Sequence, residues 1–185
     1  MIFGSHIRLR AIEKRDLPDF IRWINDPQVR ENLKHYHPIS MGQEENWYAD
    51  VLNRPADTHP LSIEIEQDGD WVLIGNVGFM RINHHDRSAE IGIMIGEKQY
   101  WNKGHGTQAM RLMLDHGFKD HNFHRIYLHV YASNPRAIRC YEKAGYQIEG
   151  RLRQARYLSG TYQDVVVMGI LKHEWQQLVK NGENE

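Results

Sequence analysis

Hydrophobic and polar residues along the chain follow two periods, which predict strands and helices in alternation. Apolar residues at every second position predict strands over His6–Ala11, Leu61–Glu66, Trp71–Arg81, Ser88–Gly96, Arg125–Tyr131, Gln147–Leu158 and Tyr162–Leu171. Apolar residues at helical spacing predict helices over Lys14–Asn25, Met41–Asn53, the segment with Ala109, Met110, Met113, Leu114 and Phe118, and Pro135–Ala144. The resulting order is β-α-α-β-β-β-α-β-α-β-β.

Local signals mark several ends of these elements. Ser40 precedes the second helix, and Gln43 follows three residues later, which is the spacing of a capping box. Asp68-Gly69 and Ser159-Gly160 are turn signals between consecutive strands. Asn134 suits the N-cap of the last helix and Gly145 suits its left-handed C-terminal position.

The order of elements and the length of 185 residues predict one domain over residues 1–185. A βαβ unit inside a largely antiparallel chain indicates an α/β or α+β sandwich. The polar tail Asn181–Glu185 is expected to fray.

Composition excludes some classes of partner. Lys and Arg total 23 against 24 Asp and Glu, so the net charge of −1 gives no global basic field for nucleic acid or an acidic membrane. A single cysteine cannot form an internal disulfide. The N-terminus lacks the apolar segment of a signal peptide, and no apolar run approaches the roughly 20 residues of a membrane span. These features predict a soluble cytoplasmic protein.

Twelve histidines raise the question of a metal site. The tightest clusters are His35-x-His37, His84-His85-Asp86 and His121-x-x-His124. None forms a His-Glu-x-x-His helix or has the cysteine partners of structural zinc, so we expect no metal. Cys140 has no dedicated base nearby in the sequence, which favours a helix-face thiol over a nucleophile.

The segment Gly104-His105-Gly106-Thr107 lies between a predicted strand and a predicted helix. Bare backbone at a helix N-terminus suits an anion such as phosphate, and Lys103 adds a positive charge. A dinucleotide fingerprint is disfavoured because the next strand ends without a carboxylate, and a Gly-Lys-Ser/Thr motif is absent. A simple glycine turn into the helix stays open as the alternative.

Two motifs together resemble the GNAT superfamily of acetyl-CoA-dependent N-acetyltransferases, in the group that contains ribosomal-protein N-terminal, spermidine and amino-sugar acetyltransferases. The motifs are Tyr100-Trp101-Asn102-Lys103-Gly104-His105-Gly106-Thr107-Gln108-Ala109 and Asn134-Pro135-Arg136-Ala137-Ile138-Arg139-Cys140-Tyr141-Glu142-Lys143-Ala144-Gly145-Tyr146. The opening segments Arg8–Ala11, Asp16-Leu17 and Trp23–Pro27 are also similar to that group, so the resemblance covers nearly the whole chain. Trp101 departs from the family pattern Gln/Arg-x-x-Gly-x-Gly/Ala at its first position.

The resemblance implies a central mixed, mostly antiparallel sheet with splayed middle strands and flanking helices, and acetyl-CoA as co-substrate. Main-chain groups of Ile93, Met94 and Ile95 would pair with pantetheine. Amides of the loop would hold the pyrophosphate, and Asn134 would contact the cofactor. The loop residues are Trp101, Asn102, Lys103, Gly104, His105, Gly106 and Thr107.

The resemblance also implies a direct transfer of acetyl to a primary amine. Tyr141 matches the family tyrosine that protonates the thiolate, and a backbone N–H near Met94 would stabilise the carbonyl oxygen. Glu90 is the leading general base, His129 is the second candidate, and water alone is the third. On pattern alone, Glu90 is equally well explained as a solvent-facing strand carboxylate.

The acceptor is left open between a protein N-terminus, a polyamine, an amino sugar and an aminoglycoside. Recognition is expected from Arg30–Trp47 and Arg156–Asp164, in which acidic and basic residues balance. A non-catalytic acyl-CoA-binding or regulatory module on the same fold is the rival interpretation. A homodimer is also left open.

Overall fold

The computed structural model of the chain describes residues 1–158 and 160–182. Contacts divide the chain into two compact units, each made of two segments. The first contains Met1–Phe79 and Ile93–Ala109, and the second contains Met80–Gly92 and the chain from Met110 onward. The interpretation of residues 1–185 as one domain therefore stays a prediction. Ser159 of the predicted turn and residues 183–185 of the predicted tail lie outside the described residues.

Most elements begin and end close to the residues that periodicity indicates. The strands are β1 Ile2–Phe3, β2 Ile7–Ala11, β3 Leu61–Gln67, β4 Asp70–Asn83, β5 Ser88–Ile95, β6 Arg125–Tyr131, β7 Gln147–Leu158 and β8 Thr161–Leu171. The helices are α1 Leu17–Asn25, α2 Pro27–Arg30, α3 Met41–Leu52, α4 His105–Lys119, α5 Pro135–Ala144 and α6 Lys172–Gly182. Short 3-10 turns cover Lys14–Asp16, Ala56–Thr58 and Lys98–Tyr100.

The strands form an eight-stranded sheet in the order β1-β2-β3-β4-β5-β6-β8-β7. β5 and β6 are parallel, whereas β1/β2, β2/β3, β3/β4, β6/β8 and β7/β8 are antiparallel. The parallel ladder consists of Ser88↔Arg125, Ala89↔Ile126 and Glu90↔Tyr127, although β5 continues to Ile95 and β6 to Tyr131. The predicted mixed, mostly antiparallel sheet with flanking helices is confirmed.

The first unit has its core on α1. Leu17, Phe20, Trp23 and Ile24 of this helix are buried, and they share one cluster with Met94 of β5. Trp101, Trp47 and Leu73 pack against the same cluster from partly buried positions. A Cβ on Gly96 would collide with the Trp23 ring, so the chain passes α1 closely at the residue after β5.

A buried ion network ties β2 and β3 to the start of α1. The Arg10 guanidinium donates to both oxygens of Asp16 at 2.7 and 2.8 Å and to Glu64 at 2.7 Å. Ser62 and the Glu13 N–H also donate to Asp16. Burial alone would raise the pKa of Asp16, but the hydrogen bonds from Arg10, the Glu13 N–H and Ser62 bring it below its ordinary value.

The second unit confirms the predicted stripe of α4 and both caps of α5. Met110, Met113, Leu114 and Phe118 are buried, together with Ala109 at the edge of the first unit. The Asn134 side chain accepts from the Ala137 N–H at 3.1 Å, and Gly145 has φ +105°. These are the N-cap and left-handed C-terminal positions that the sequence indicates.

Two helices and the burial of β5 differ from the pattern. Pro27 begins the four-residue helix α2 where the sequence predicted only a helix end, because proline suits the first helical position as well as the residue after a helix. The sequence did not predict α6, since its apolar residues are sparse. Glu90 is buried, so its interpretation as a solvent-facing carboxylate is wrong. No helix of the described residues has the length and apolar character that a membrane crossing requires.

Candidate active site

The end of β5 in the first unit is held by hydrogen bonds at two points. The Trp101 indole N–H donates to the Ile95 carbonyl at 2.7 Å. The N–H groups of Gly96 and Glu97 both donate to the Ile74 carbonyl of β4, at 2.8 and 3.2 Å. The segment Ile93–Ile95, which the resemblance assigns to pantetheine, therefore ends in a fixed backbone position.

Gly75 of β4 lies directly beside this segment. A Cβ on Gly75 would be 3.0 Å from both the Met94 carbonyl carbon and the Ile95 Cα, and closer still to the Met94 carbonyl oxygen. Real Cβ atoms do not approach backbone that closely. Only glycine therefore allows β4 to support Met94 in this position.

The loop between β5 and α4 has two residues in the left-handed region. Asn102 has φ +62° and Gly104 has φ +87°. The Gly104 carbonyl accepts from the Gln108 N–H at 3.0 Å, so α4 starts directly after it. Successive amides around left-handed residues form concave anion sites, and a helix N-terminus adds positive potential. A Cβ on Gly104 would meet no atom within 4 Å, so the space beside this backbone is open.

Lys103 and His105 give the loop its side-chain chemistry. Lys103 is exposed, with its ammonium 5.4 Å from the centroid of the Tyr100 ring. Burial and the nearby Lys103 charge lower the pKa of His105, so its ring is neutral at pH 7. Its Nδ1 is buried and has no hydrogen-bond partner among the described residues. With its open backbone, positive charge and orphaned ring nitrogen, the loop fits a pyrophosphate group.

Charged contacts in the first unit anchor the approach to this loop. Glu97 accepts from the Trp23 indole at 3.0 Å and from Arg22 of α1. Lys98 forms an ion pair with Asp26 at 2.5 Å. Lys98 donates a hydrogen bond to Asp26 that lowers the pKa of this carboxyl. These contacts fix the 3-10 turn that precedes the loop. No local pattern indicates them, because the partners are about 70 residues apart.

Both sequence candidates for the general base meet in the second unit. Glu90 Oε1 lies 2.9 Å from His129 Nδ1, and Glu90 Oε2 lies 2.5 Å from Arg81 Nη1. The Glu90 side chain is 5% exposed, that of His129 is 24% and that of Arg81 is 63%. Arg81 has φ +49° in β4 and was not among the predicted residues. The three side chains form a row in the order Arg81–Glu90–His129, with the buried carboxylate between two more exposed nitrogen groups.

Tyr141 of α5 is half-buried, and its ring lies 6.1 Å from that of Tyr146. Burial raises the pKa of the Tyr141 phenol well above its ordinary value, so it keeps its proton at neutral pH. The Tyr146 hydroxyl is buried without a hydrogen-bond partner in the described part of the chain. A phenol that stays protonated until negative charge develops nearby can serve as a general acid.

The remaining candidate residues lie in ordinary contacts within the protein. The Asn134 side chain caps α5, which occupies its oxygen. Cys140 is half-buried. His121 contacts His116 through their Nε2 atoms at 3.0 Å, and His85 contacts Asp86. No group of three or more metal-binding side chains occurs among residues 1–158 and 160–182.

Comparison with known proteins identifies the family of this chain. The family model of the acetyltransferase (GNAT) domain matches residues 6–147. The chain belongs to the GNAT acetyltransferase family. It is 32% identical over 172 residues to the spermidine N(1)-acetyltransferase of Vibrio cholerae, which spans 93% of this chain and 96% of the relative. It is 36% identical over 170 residues to the Escherichia coli enzyme of the same name, covering 91% and 88%.

The solved structure of a relative agrees with this family assignment. The spermidine N-acetyltransferase from Vibrio cholerae in complex with CoA and spermine superposes with a TM-score of 0.85 at 31% identity. The match covers 94% of this chain and 99% of the other. The chain is thus an acetyl-CoA-dependent N-acetyltransferase, as the resemblance implied.

Sequence reasoning missed two residues that shape this enzyme. Position 75 must be glycine because any side chain would collide with the backbone of Met94 and Ile95, and a hydrophobic pattern does not reveal such a contact. Arg81 occupies a left-handed position and pairs with Glu90 on the neighbouring strand. The turn between these strands brings them together, so only the register of the hairpin could have indicated the pair.

Proposed function

We propose that this enzyme transfers acetyl from acetyl-CoA to a primary amine of a polyamine such as spermidine. The proposal is carried by the nearly full-length similarity to spermidine N-acetyltransferases and to one of their structures with CoA and spermine. The two spermidine enzymes are 32% and 36% identical to this chain, whereas a putative ribosomal N-acetyltransferase of Bacillus subtilis is 24% identical over 177 residues, which favours a polyamine over a protein N-terminus.

The cofactor-binding residues proposed here keep the assignment implied by the resemblance. Backbone amides of the predicted loop over residues 101–107 would hold the pyrophosphate, with Lys103 as the nearby cation. The Trp101 amide already donates to the Lys98 carbonyl at 3.1 Å, so the donors would come from the residues after it. Main-chain groups of Ile93, Met94 and Ile95 would pair with the pantetheine arm. The fixed end of β5 supports this, because hydrogen bonds from the Trp101 indole and from the Gly96 and Glu97 N–H groups hold this backbone in place. Asn134 would contact the cofactor while it caps α5.

When bound, acetyl-CoA supplies the thioester that the amine attacks. A backbone N–H near Met94 would donate to the carbonyl oxygen as negative charge develops on it. Tyr141 would give its proton to the departing sulfur, and its raised pKa keeps that proton in place beforehand. The contacting pair Glu90–His129 would remove the proton from the acceptor ammonium.

An acceptor screen tests the polyamine assignment. Acetyl-CoA is mixed with spermidine, spermine, a peptide with a free N-terminus, glucosamine and an aminoglycoside, and thiol release is followed for each. We expect kcat/KM for a polyamine to exceed that for the other acceptors at least tenfold. A preference for the peptide or a sugar would overturn the polyamine proposal, although the acetyltransferase activity would stand.

Three further expectations accompany the proposal. The acceptor would meet the segments 30–47 and 156–164. The first includes Glu44 of α3, whose pKa is raised by burial. The second includes Arg156, whose guanidinium lies 3.5 Å above the Tyr131 ring. A homodimer and a cytoplasmic location stay predictions.

A further inference from the structure

The hydrogen bonds within the row Arg81–Glu90–His129 determine which of the three side chains can accept a proton from an amine. Both Glu90 oxygens already accept hydrogen bonds, Oε1 from His129 and Oε2 from Arg81. The arginine charge stabilises the carboxylate, and the side chain is almost fully buried. A carboxylate in this position is poorly placed to meet an acceptor amine directly.

The same contacts fix the tautomer of His129. An ionised carboxylate can only accept a hydrogen bond, so His129 Nδ1 must carry the proton between the two groups. In the neutral ring, Nε2 then holds the lone pair. This atom has no hydrogen-bond partner among the described residues, and the side chain is more exposed than that of Glu90. His129 Nε2 is thus the basic atom that this row presents.

We propose that His129 Nε2 is the general base, and that Glu90 and Arg81 are positioning residues that hold its tautomer and balance its charge. This rests on the proposed function only for the identity of the amine. Nε2 takes one proton from the acceptor ammonium, directly or through water, and the freed amine forms the C–N bond. The C–S bond breaks, Tyr141 gives its proton to the sulfur, and the new amide nitrogen releases its second proton to water. Solvent later returns a proton to Tyr141 and removes one from His129.

Arg81 contacts Glu90 Oε2 and offsets the negative charge that faces His129 Nδ1. The other groups around the ring are Tyr127, with ring centroids 6.0 Å apart, and Val167, opposite on β8. Arg125 is directed to Tyr127 and Glu149. Among the described residues, Glu90 is therefore the charged group in contact with His129, and Arg81 is the charged group in contact with Glu90.

The test compares kcat/KM against pH for Arg81→Met, Glu90→Gln and His129→Gln, with the amine that the screen identifies. Arg81→Met should move the acid limb to higher pH by roughly half a unit, because an exposed ion pair acts weakly. Arg81→Lys should restore it. Glu90→Gln keeps an acceptor for the His129 Nδ1–H and should move the acid limb to lower pH. His129→Gln should abolish the acid limb and lower kcat/KM by about 10²–10⁴.

A control variant and an independent NMR measurement distinguish between His129 and Glu90 as the base. Lys119→Met removes an exposed ion pair on α4 of the same unit and should leave the profile unchanged. If Glu90→Gln loses 10²–10⁴ at every pH while His129→Gln keeps the limb, Glu90 is the base and the inference is overturned. Nitrogen-15 NMR of the wild type must show the Nδ1–H tautomer of neutral His129. The Nε2–H tautomer would overturn the inference whichever amine is the substrate.

Discussion

Replacing Gly75 with alanine tests how β4 supports the proposed pantetheine segment. The new Cβ would lie 3.0 Å from the Met94 carbonyl carbon and from the Ile95 Cα, and closer to the Met94 oxygen. Ordinary contact begins near 3.4 Å. Because every one of these neighbours is backbone, no side chain can rotate away, and β4 and β5 must move apart.

The separation of β4 and β5 lowers the free energy of unfolding. Overpacking of this kind costs about 1–3 kcal/mol. The hydrogen bonds from Gly96 and Glu97 to Ile74 flank the collision, and each lost bond costs about 1 kcal/mol. We expect the free energy of unfolding to fall by roughly 2–4 kcal/mol. Since Met94 and Ile95 are displaced, the Kd for acetyl-CoA should rise at least tenfold.

Gly42→Ala in α3 is the matched control, because a Cβ there meets no atom within 4 Å. It should leave stability unchanged or raise it by up to about 1 kcal/mol. Urea unfolding followed by circular dichroism gives the stability, and calorimetric titration gives the affinity. If Gly75→Ala matches the control in both, β4 does not support this segment as described.

Three further predictions concern single side chains. Tyr141→Phe should lower kcat by roughly 10²–10⁴ with little change in acetyl-CoA affinity, and unchanged turnover would refute its role as acid. Tyr146→Phe, its control, removes a buried unpartnered hydroxyl and should raise stability by about 1 kcal/mol in thermal unfolding. Gly104→Val should abolish acetyl-CoA binding in calorimetry because φ is +87°, whereas Gly69→Val, at φ +88° in the β3–β4 hairpin, should bind normally; equal binding by both would exclude the loop as the phosphate site. Asp16→Asn should cost about 3–5 kcal/mol at pH 7, since it leaves Arg10 partly unpaired in a buried site. The pKa of Asp16 is lowered in the folded state, so its contribution is present above about pH 4 and is lost as pH falls through the folded value. The variant should therefore show a flatter acid limb in stability against pH, and an unchanged limb would contradict the network.

The features that sequence predicts best are those with a local cause. The cap formed by Ser40 and Gln43, the cap at Asn134 and the left-handed Gly145 all depend on residues within a few positions, and each is present. The apolar stripe of α4 is equally local, because one helix face determines it. The motifs at residues 100–109 and 134–146 identified the family for the same reason.

Features that depend on distant partners could not be predicted. Alternation along β5 leaves Glu90 on a polar face, but contacts with Arg81 and His129 make burial of its charge tolerable. The need for glycine at position 75 arises from Met94 on another strand. α6 has too few apolar residues to stand out, although Trp175 packs its ring 5.3 Å from Phe118.

The departure at Trp101 from the family pattern has a physical explanation in the first unit. Gln, Arg and Trp share an N–H donor at the end of a long side chain. In this enzyme the indole N–H satisfies the Ile95 carbonyl, while the ring packs against the cluster on α1. The donor is thus directed at the end of β5 rather than at a ligand. In the proposed site, anion binding by the loop would then rest on backbone amides and Lys103, so a chain with a net charge of −1 could still hold a pyrophosphate.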